Sequence, residues 1–361
     1  MGADIHCPES HVVEIDCTAV HCTEPDRNLV QEMRASYYLM GALLGRFGHA
    51  HVALPGGCNF ASRPIDQHIK GFLALGAEVE ETEDYVALRS GSDGLQGSRL
   101  SLDLASVGAT VNIMLAATLL PGQTVIENAA KEPHIVDLAN FLNTMGARIS
   151  GAGTDTVKIR GVNSLRGGTY TIIPDQIEAG TYLAAVAATG GNVLVQNVIP
   201  KHLESTTAKL IEMGCQIEES DDAVRVVASR RLEGTQVKTL PYPGFPTDMQ
   251  PQIGVALAVA EGTSVITEGV WDHRYKYINE LRKMGAAVTV DGRVAVVEGV
   301  ETLRGASVDA CDLRAGAALI VAALSAEGRS EIHNIEYIDR GYEYFEQKLR
   351  ALGADITRVE E

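Results

Sequence analysis

Six times along its length the chain repeats one short phrase: an apolar residue, a glycine, a small residue, any residue, then a β-branched one. The copies begin at Met1, Leu75, Met145, Met213, Met284 and Leu352, which puts their glycines at 2, 76, 146, 214, 285 and 353. The intervals of 74, 70, 68, 71 and 68 residues constrain the fold strongly, because recurrence at a fixed period means one supersecondary unit used repeatedly. Before each internal copy runs an amphipathic stretch, such as Ile135 to Leu142, whose apolar spacing is helical. The glycine ends that helix by taking φ > 0, and a short strand, a polar turn and a second strand follow, as in Ala77 to Glu81 and Tyr85 to Arg89.

Read from Leu165 to Cys215, one unit predicts a strand (Thr169 to Ile173), a helix (Glu178 to Ala188), a strand (Val193 to Asn197) and an outer helix (Leu203 to Met213). The unit is βαβαββ. Its first helix is apolar nearly all round and so must be buried, whereas the second keeps a polar face. Three units of about 70 residues make a domain near 200, so six predict a two-domain α/β protein with domains at 1–172 and 173–361. The first phrase opens the chain with no helix before it, so the first repeat is expected to be truncated, by about 55 residues at this period.

Composition narrows the function. Lys and Arg number 30 against 47 Asp and Glu, a net charge of −17 that repels nucleic acid and anionic lipid, and neither is expected as a partner. The longest apolar runs, such as Ala315 to Leu324, reach about half the length of a membrane span. The start, MGADIHCPES, has neither the basic nor the apolar region of a secretory signal, and His6 breaks a myristoylation pattern, so the expected compartment is the cytoplasm. Six cysteines without an export signal read as reduced thiols. Self-association is not readable.

Chemistry collects at the starts of the buried helices: Arg34 with Ser36, Ser106 with Gly108, Asp175 with Glu178, Thr247 with Asp248, Asp312 with Arg314. Helix N-termini carry unpaired N–H groups and a positive dipole end, so several around one cleft would hold a phosphate-bearing ligand; singly, Ser and Asp there are ordinary caps. Arg34 and Arg314 are not capping residues and call for an anion. A loop from Leu54 to Ile65 places Cys58 two residues past Gly56-Gly57 and five before Arg63, a setting that favours a thiolate or proton donor over a structural thiol. His68, in the first turn of the next helix, reads equally as cap, packing residue or ligand group. Cys17, His21 and Cys22, with His6 and Cys7, lack regular zinc spacing and read as hairpin residues, so no metal is expected. Neither a P-loop nor a Rossmann glycine motif occurs.

These motifs carry a resemblance: Pro55-Gly56-Gly57-Cys58 with Arg63-Pro64-Ile65-Asp66, Ser106-Val107-Gly108-Ala109-Thr110, Glu127 to Pro133, Phe245 to Gln250, and Ile338-Asp339-Arg340-Gly341-Tyr342. The chain resembles the UDP-N-acetylglucosamine 1-carboxyvinyltransferases, the enolpyruvyl transferases of peptidoglycan synthesis and cell wall biogenesis, over nearly its whole length. The resemblance implies an inside-out α/β barrel, two domains of three units with the active site between them, and UDP-N-acetylglucosamine and phosphoenolpyruvate as substrates, with no cofactor. It implies Cys58 as proton donor and fosfomycin target, Asp248 as base, and Arg63, Arg314 and Arg340 as clamps on phosphoenolpyruvate. Arg34, Arg63, Pro64, Ile65, Asp66, Gln67, Ser106, Val107, Glu132, Asp175, Val270 and Asp312 complete the implied substrate contacts. A Lys-Asn pair near the start of full-length members has no counterpart here, and Leu104 and Gln176 stand where many members carry a basic residue. A non-catalytic nucleotide-sugar-binding paralogue is therefore the alternative, and the shikimate-pathway transferases, which share the fold, lack the Gly-Gly-Cys loop.

Overall fold

The computed structural model describes residues 1–54 and 64–359, which form two compact units, one ending at Ile172 and the other beginning at Ile173. Each is built around helices that have no solvent face. In the first unit the helix Val107–Ala117 is buried along almost its entire length, and Tyr38–Phe47 packs on it. Their backbones approach closely because Gly41 and Gly45 face the neighbouring helix: a Cβ on Gly41 would lie 2.3 Å from the Asn112 carbonyl oxygen. Asn112 lies fully buried there and accepts the Gly41 N–H at 2.8 Å. In the second unit three such helices, Gln176–Thr189, Gln250–Ala258 and Leu313–Leu324, pack on one another.

Sheets surround these helices. The strand Arg99–Ser101 runs parallel to Gln123–Glu127, which pairs antiparallel with Thr156–Arg160, itself paired with Arg148–Ser150. Together with Val107–Ala117 and Pro133–Thr144 this is a complete βαβαββ unit, and residues 236–298 repeat it. Two other sheets have three strands in the same antiparallel arrangement without the leading parallel strand: His49–Ala53, Tyr85–Ser90 and Ala77–Glu81, and Gly191–Gln196, Ala223–Ala228 and Gln216–Glu219.

The leading strand expected at Thr169 to Ile173 is absent; these residues have no regular structure and Ile172 is exposed. Tyr170 shows why. Its hydroxyl donates to the Asp137 carboxylate at 2.6 Å and its ring meets Phe141 edge-on, so the segment is fastened to a helix, while Pro174 ends any ladder for want of an N–H. Burial and the Asp137 carboxylate together push the Tyr170 hydroxyl up to about 12. The opening hairpin, Asp4–Glu9 with Val12–Asp16, is exposed on both faces, so its alternating pattern buries nothing. The Cys58 loop lies outside the described residues.

The repeated glycines do what the sequence asks of them. All six have φ between +88° and +103°. At Gly146, Gly214, Gly285 and Gly353 the glycine N–H bonds back three residues and the next N–H bonds back five, as at Gly214 to Ile211 (2.9 Å) and Cys215 to Leu210 (2.9 Å), which completes the Schellman motif. At Gly285 a Cβ would meet nothing within 4 Å, so only backbone strain opposes a side chain there. Gly285→Ala should therefore lower stability by about 1 kcal/mol, the usual penalty for a left-handed non-glycine residue. Gly292→Ala, also at positive φ but in a hairpin turn, provides the comparison in urea unfolding; equal stability of Gly285→Ala and the parent chain would contradict the cap.

Candidate active site

In the first unit the candidate residues gather around His68. The side chain is 95% buried, in the helix Asp66–Ala74. Its Nδ1 lies 2.8 Å from the Asn112 amide nitrogen, which can only donate, so Nδ1 accepts and the ring proton resides on Nε2. The Nε2 edge lies over Gly108, where a Cβ would approach to 2.8 Å; only glycine leaves room for the ring beside the first turn of Val107–Ala117. Burial first, and the Arg34 guanidinium second, lower the His68 pKa to about 4, against a smaller opposing effect of Asp66. His68 is thus a neutral imidazole at physiological pH.

Arg34 begins a 3-10 turn, Arg34–Tyr37, that runs into the helix Tyr38–Phe47, and its guanidinium stands 4.8 Å above the Tyr37 ring, which in turn tilts against His68. Ser106 caps its helix by accepting the Ala109 N–H at 3.3 Å, and Val107 is the first helical residue. Gln67 is buried and ties two carboxylates together: its amide nitrogen donates to Asp66 at 2.9 Å and to Asp103 at 3.1 Å, while its oxygen accepts the Asp103 N–H. Lys70 completes the group with Asp103 at 2.5 Å. Ile65 is buried at the helix start, whereas Pro64, Asp66 and Leu104 are exposed. Glu132 precedes Pro133–Thr144 without capping it, and one of its oxygens is buried with no partner among the described residues.

The second unit holds an ionic cluster. Asp248 lies in a 3-10 turn, Thr247–Met249, that leads into the buried helix Gln250–Ala258. One carboxylate oxygen faces Arg274 Nη2 at 3.3 Å and the other Arg314 Nε at 3.3 Å, while the side chain keeps 41% exposure. Asp248 is therefore gripped by two guanidinium groups but still open to solvent. Burial works against the charge on Arg314, but the carboxylates of Asp248 and Asp175 and the Tyr342 hydroxyl outweigh it, so the guanidinium is held firmly charged. Asp175 and Asp312 are ordinary caps: Asp175 accepts the Ile177 N–H at 2.7 Å, and Asp312 accepts those of Arg314 and Ala315, each at 2.9 Å. Gln176 is the first helical residue after Asp175. Arg340 is exposed at the end of the short helix Glu336–Asp339.

Sequence reasoning missed three members. Arg274 has a side chain only 1% exposed, with Asp248 on one side and Asp312 at 3.9 Å on the other. Glu268 is buried and accepts the N–H groups of Val270 (2.9 Å) and Trp271 (3.0 Å) and the Thr247 hydroxyl (3.1 Å), which fixes Val270 relative to the Asp248 turn. Tyr342 places its hydroxyl 3.4 Å from Arg314 Nη1. The available signal was a lone carboxylate, Glu268, between Ile266 and Val270; Arg274 stands among other charged residues, Asp272 and Lys276, and nothing local singles it out. Cys58 and Arg63 lie outside the described residues. No group of three metal-ligating side chains, and no helix long and apolar enough to cross a membrane, occurs among the described residues.

Comparison with known proteins bears on the family and the fold. The family model for EPSP synthase (3-phosphoshikimate 1-carboxyvinyltransferase) matches residues 1–349. The chain is 57% identical over 351 residues to UDP-N-acetylglucosamine 1-carboxyvinyltransferase 3 of Caldanaerobacter subterraneus subsp. tengcongensis, covering 97% of this chain and 84% of that protein. It is 54% identical over 359 residues to the UDP-N-acetylglucosamine 1-carboxyvinyltransferase of Clostridium botulinum, covering 99% and 86%. Among solved structures, the enolpyruvyl transferase NikO from Streptomyces tendae superposes with a TM-score of 0.86 at 27% identity over 98% of this chain and 84% of that one. EPSP synthase from Acinetobacter baumannii, at 19% identity and a TM-score of 0.71 over 98% of this chain and 85% of that one, shares the fold.

The neutral His68 has a consequence for stability. Its folded pKa, about 4, lies below the ordinary 6.5, so below 6.5 the unfolded chain binds the extra proton. The contribution is fully present above pH 6.5 and is lost as pH falls toward 4, by about 3 kcal/mol at most on conversion of the shift. His68→Gln should flatten this acid limb in urea unfolding between pH 7 and 4. In the parent chain the His68 ring should show the Nε2–H tautomer by nitrogen NMR down to about pH 5; a ring that titrates near 6.5 would contradict the buried neutral state.

Proposed function

The chain belongs to the EPSP synthase family of enolpyruvyl transferases, and from that premise we propose that it transfers the enolpyruvyl group of phosphoenolpyruvate to the 3-hydroxyl of UDP-N-acetylglucosamine and releases phosphate. This is the first committed, cytoplasmic step of peptidoglycan synthesis, on which cell wall biogenesis, cell shape and the division cycle depend. The observation that carries the reading is the doubly gripped yet solvent-open Asp248 carboxylate, in a chain more than half identical to enzymes of that name.

In this reading Asp248 takes the proton of the sugar hydroxyl as its oxygen bonds to C2 of phosphoenolpyruvate, and the Cys58 thiol delivers a proton to C3. In the elimination the Cys58 thiolate takes a proton back from the methyl group of the tetrahedral adduct, the C2–O bond to phosphate breaks, and Asp248 returns its proton to the departing phosphate, which leaves the enol ether. Arg314 and Arg340, with Arg63, hold the phosphate and carboxylate of phosphoenolpyruvate; guanidinium forks match both anions in two-point contact. Arg314 is suited to this because it is mostly buried and already charged. Arg34, Pro64 to Gln67, Ser106, Val107, Glu132 and Val270 contact the nucleotide sugar, and Asp175 and Asp312 hold the starts of the helices that present these groups.

Asp248→Ala should lower turnover by about 10²- to 10⁴-fold, the range for loss of a general base, while the Kd for the UDP-sugar changes only a few-fold. Phosphate release and calorimetry measure the two quantities, and turnover retained by Asp248→Ala removes this residue from the mechanism. Cys58→Ala should abolish covalent labelling by fosfomycin in intact-mass measurements, whereas labelling that persists assigns the reactive thiol elsewhere. UDP-sugar binding without any phosphate release by the parent chain would instead support a nucleotide-sugar-binding paralogue.

A further inference from the structure

The Tyr342 hydroxyl lies at the meeting point of all three central helices of the second unit, and the ring is 2% exposed. It is 2.9 Å from Thr181 Oγ1 in the helix Gln176–Thr189, 3.4 Å from Gln252 Nε2 in Gln250–Ala258, and 3.4 Å from Arg314 Nη1 in Leu313–Leu324. The direction of each bond follows from counting protons. Thr181 spends its hydroxyl proton on the Ile177 carbonyl, 2.7 Å away, so Thr181 Oγ1 must accept from Tyr342. The phenol's two lone pairs are then left for Gln252 Nε2, which also donates to Thr181 Oγ1 at 3.1 Å, and for the Arg314 guanidinium, and neither nitrogen group can act as anything but a donor. Every site on the hydroxyl is used.

Two residues before Tyr342 stands Arg340, exposed at the end of its short helix. Asp339, on its other side, is tied to Arg358 at 2.6 and 2.9 Å. Gly341 between Arg340 and Tyr342 sits where a Cβ would meet Leu313 at 2.9 Å, so this turn lies directly on the start of the Arg314 helix. Ring contacts with Phe345 at 4.9 Å hold the phenol from the far side.

We propose that Tyr342 is a positioning residue that sets Arg314 and Arg340 relative to each other, so that two guanidinium groups act as one clamp on the phosphate and carboxylate of phosphoenolpyruvate. The inference rests on the clamp role given to those arginines above. A hydrogen bond to a charged group removed without loss of volume is the smallest change that tests it, and Tyr342→Phe makes that change. It should lower kcat/KM for phosphoenolpyruvate by about tenfold or more, while the Kd for the UDP-sugar stays within about twofold. Amide exchange should quicken at residues 338–343 and 313–315 and remain unchanged in the outer helices. In an Arg314→Lys background, where the guanidinium is already gone, Tyr342→Phe should cost less than about threefold, because residues acting through one another do not add. Thr181→Val, which removes only the acceptor of the phenol's proton, should shift the same quantities in the same direction by a smaller factor.

Parent-like kcat/KM and exchange in Tyr342→Phe would overturn the proposal. So would full multiplication of the Tyr342→Phe and Arg314→Lys effects, or a uniform rise in exchange across the unit with kcat/KM intact. If the parent chain releases no phosphate, the proposed activity fails and exchange at 338–343 alone judges Tyr342: unchanged protection there rejects it, and localised loss upholds its hold on the turn.

Discussion

A helix that is apolar on every side can exist in water only if other elements enclose it completely, and that requirement governs both units. Val107–Ala117, Gln250–Ala258 and Leu313–Leu324 have almost no exposed residues, so each must be walled in by amphipathic helices and sheets. Apart from a few buried polar side chains such as Asn112, Thr181 and Gln252, their ends are where such helices meet polar surroundings. The unpaired N–H groups at their starts need acceptors, and Ser106, Asp175 and Asp312 supply them. Enclosure thus concentrates polar chemistry at helix starts, which is where Arg34, Asp248 and Arg314 are found.

Once charges gather at the edge of an apolar interior they must balance. Two buried or half-buried guanidinium groups, Arg274 and Arg314, share Asp248, and Arg274 also reaches Asp312. Removing one partner from such a group leaves a desolvated charge behind, so the members hold each other in place. The net charge of −17 makes this local concentration of guanidinium more selective, since an anion repelled elsewhere on the surface is drawn to the few sites where cations outnumber or match carboxylates.

The repeat made much of this legible. Glycines 76, 146, 214, 285 and 353 mark helix ends because no other residue takes their dihedral angles cheaply, and unbroken runs such as Tyr182 to Ala188 mark enclosure because no polar face remains. Local sequence carries those signals. Thr169 to Ile173 has the composition of a strand, but Tyr170 fastens it to Asp137 and Phe141 instead of to a sheet edge, and such a choice is settled between distant segments. For the same reason Arg274, Glu268 and Tyr342 escaped sequence reasoning: each matters through partners 21 to 161 residues away, as in Glu268 with Thr247 and Tyr342 with Thr181. The caps among the candidate residues were readable because their partners are two or three residues off, whereas the tautomer of His68 depends on Asn112, 44 positions along the chain.

The close contact between Tyr38–Phe47 and Val107–Ala117 at Gly41 and Gly45 has a mechanical meaning. With main chain resting on main chain and the Asn112 amide bolted to the Gly41 nitrogen, there is no compliant layer of side chains between the two rods, and they must travel as a single stiff body. A shift of Val107–Ala117 at its Ser106 end therefore carries with it Tyr38–Phe47 and the turn before it that holds Arg34.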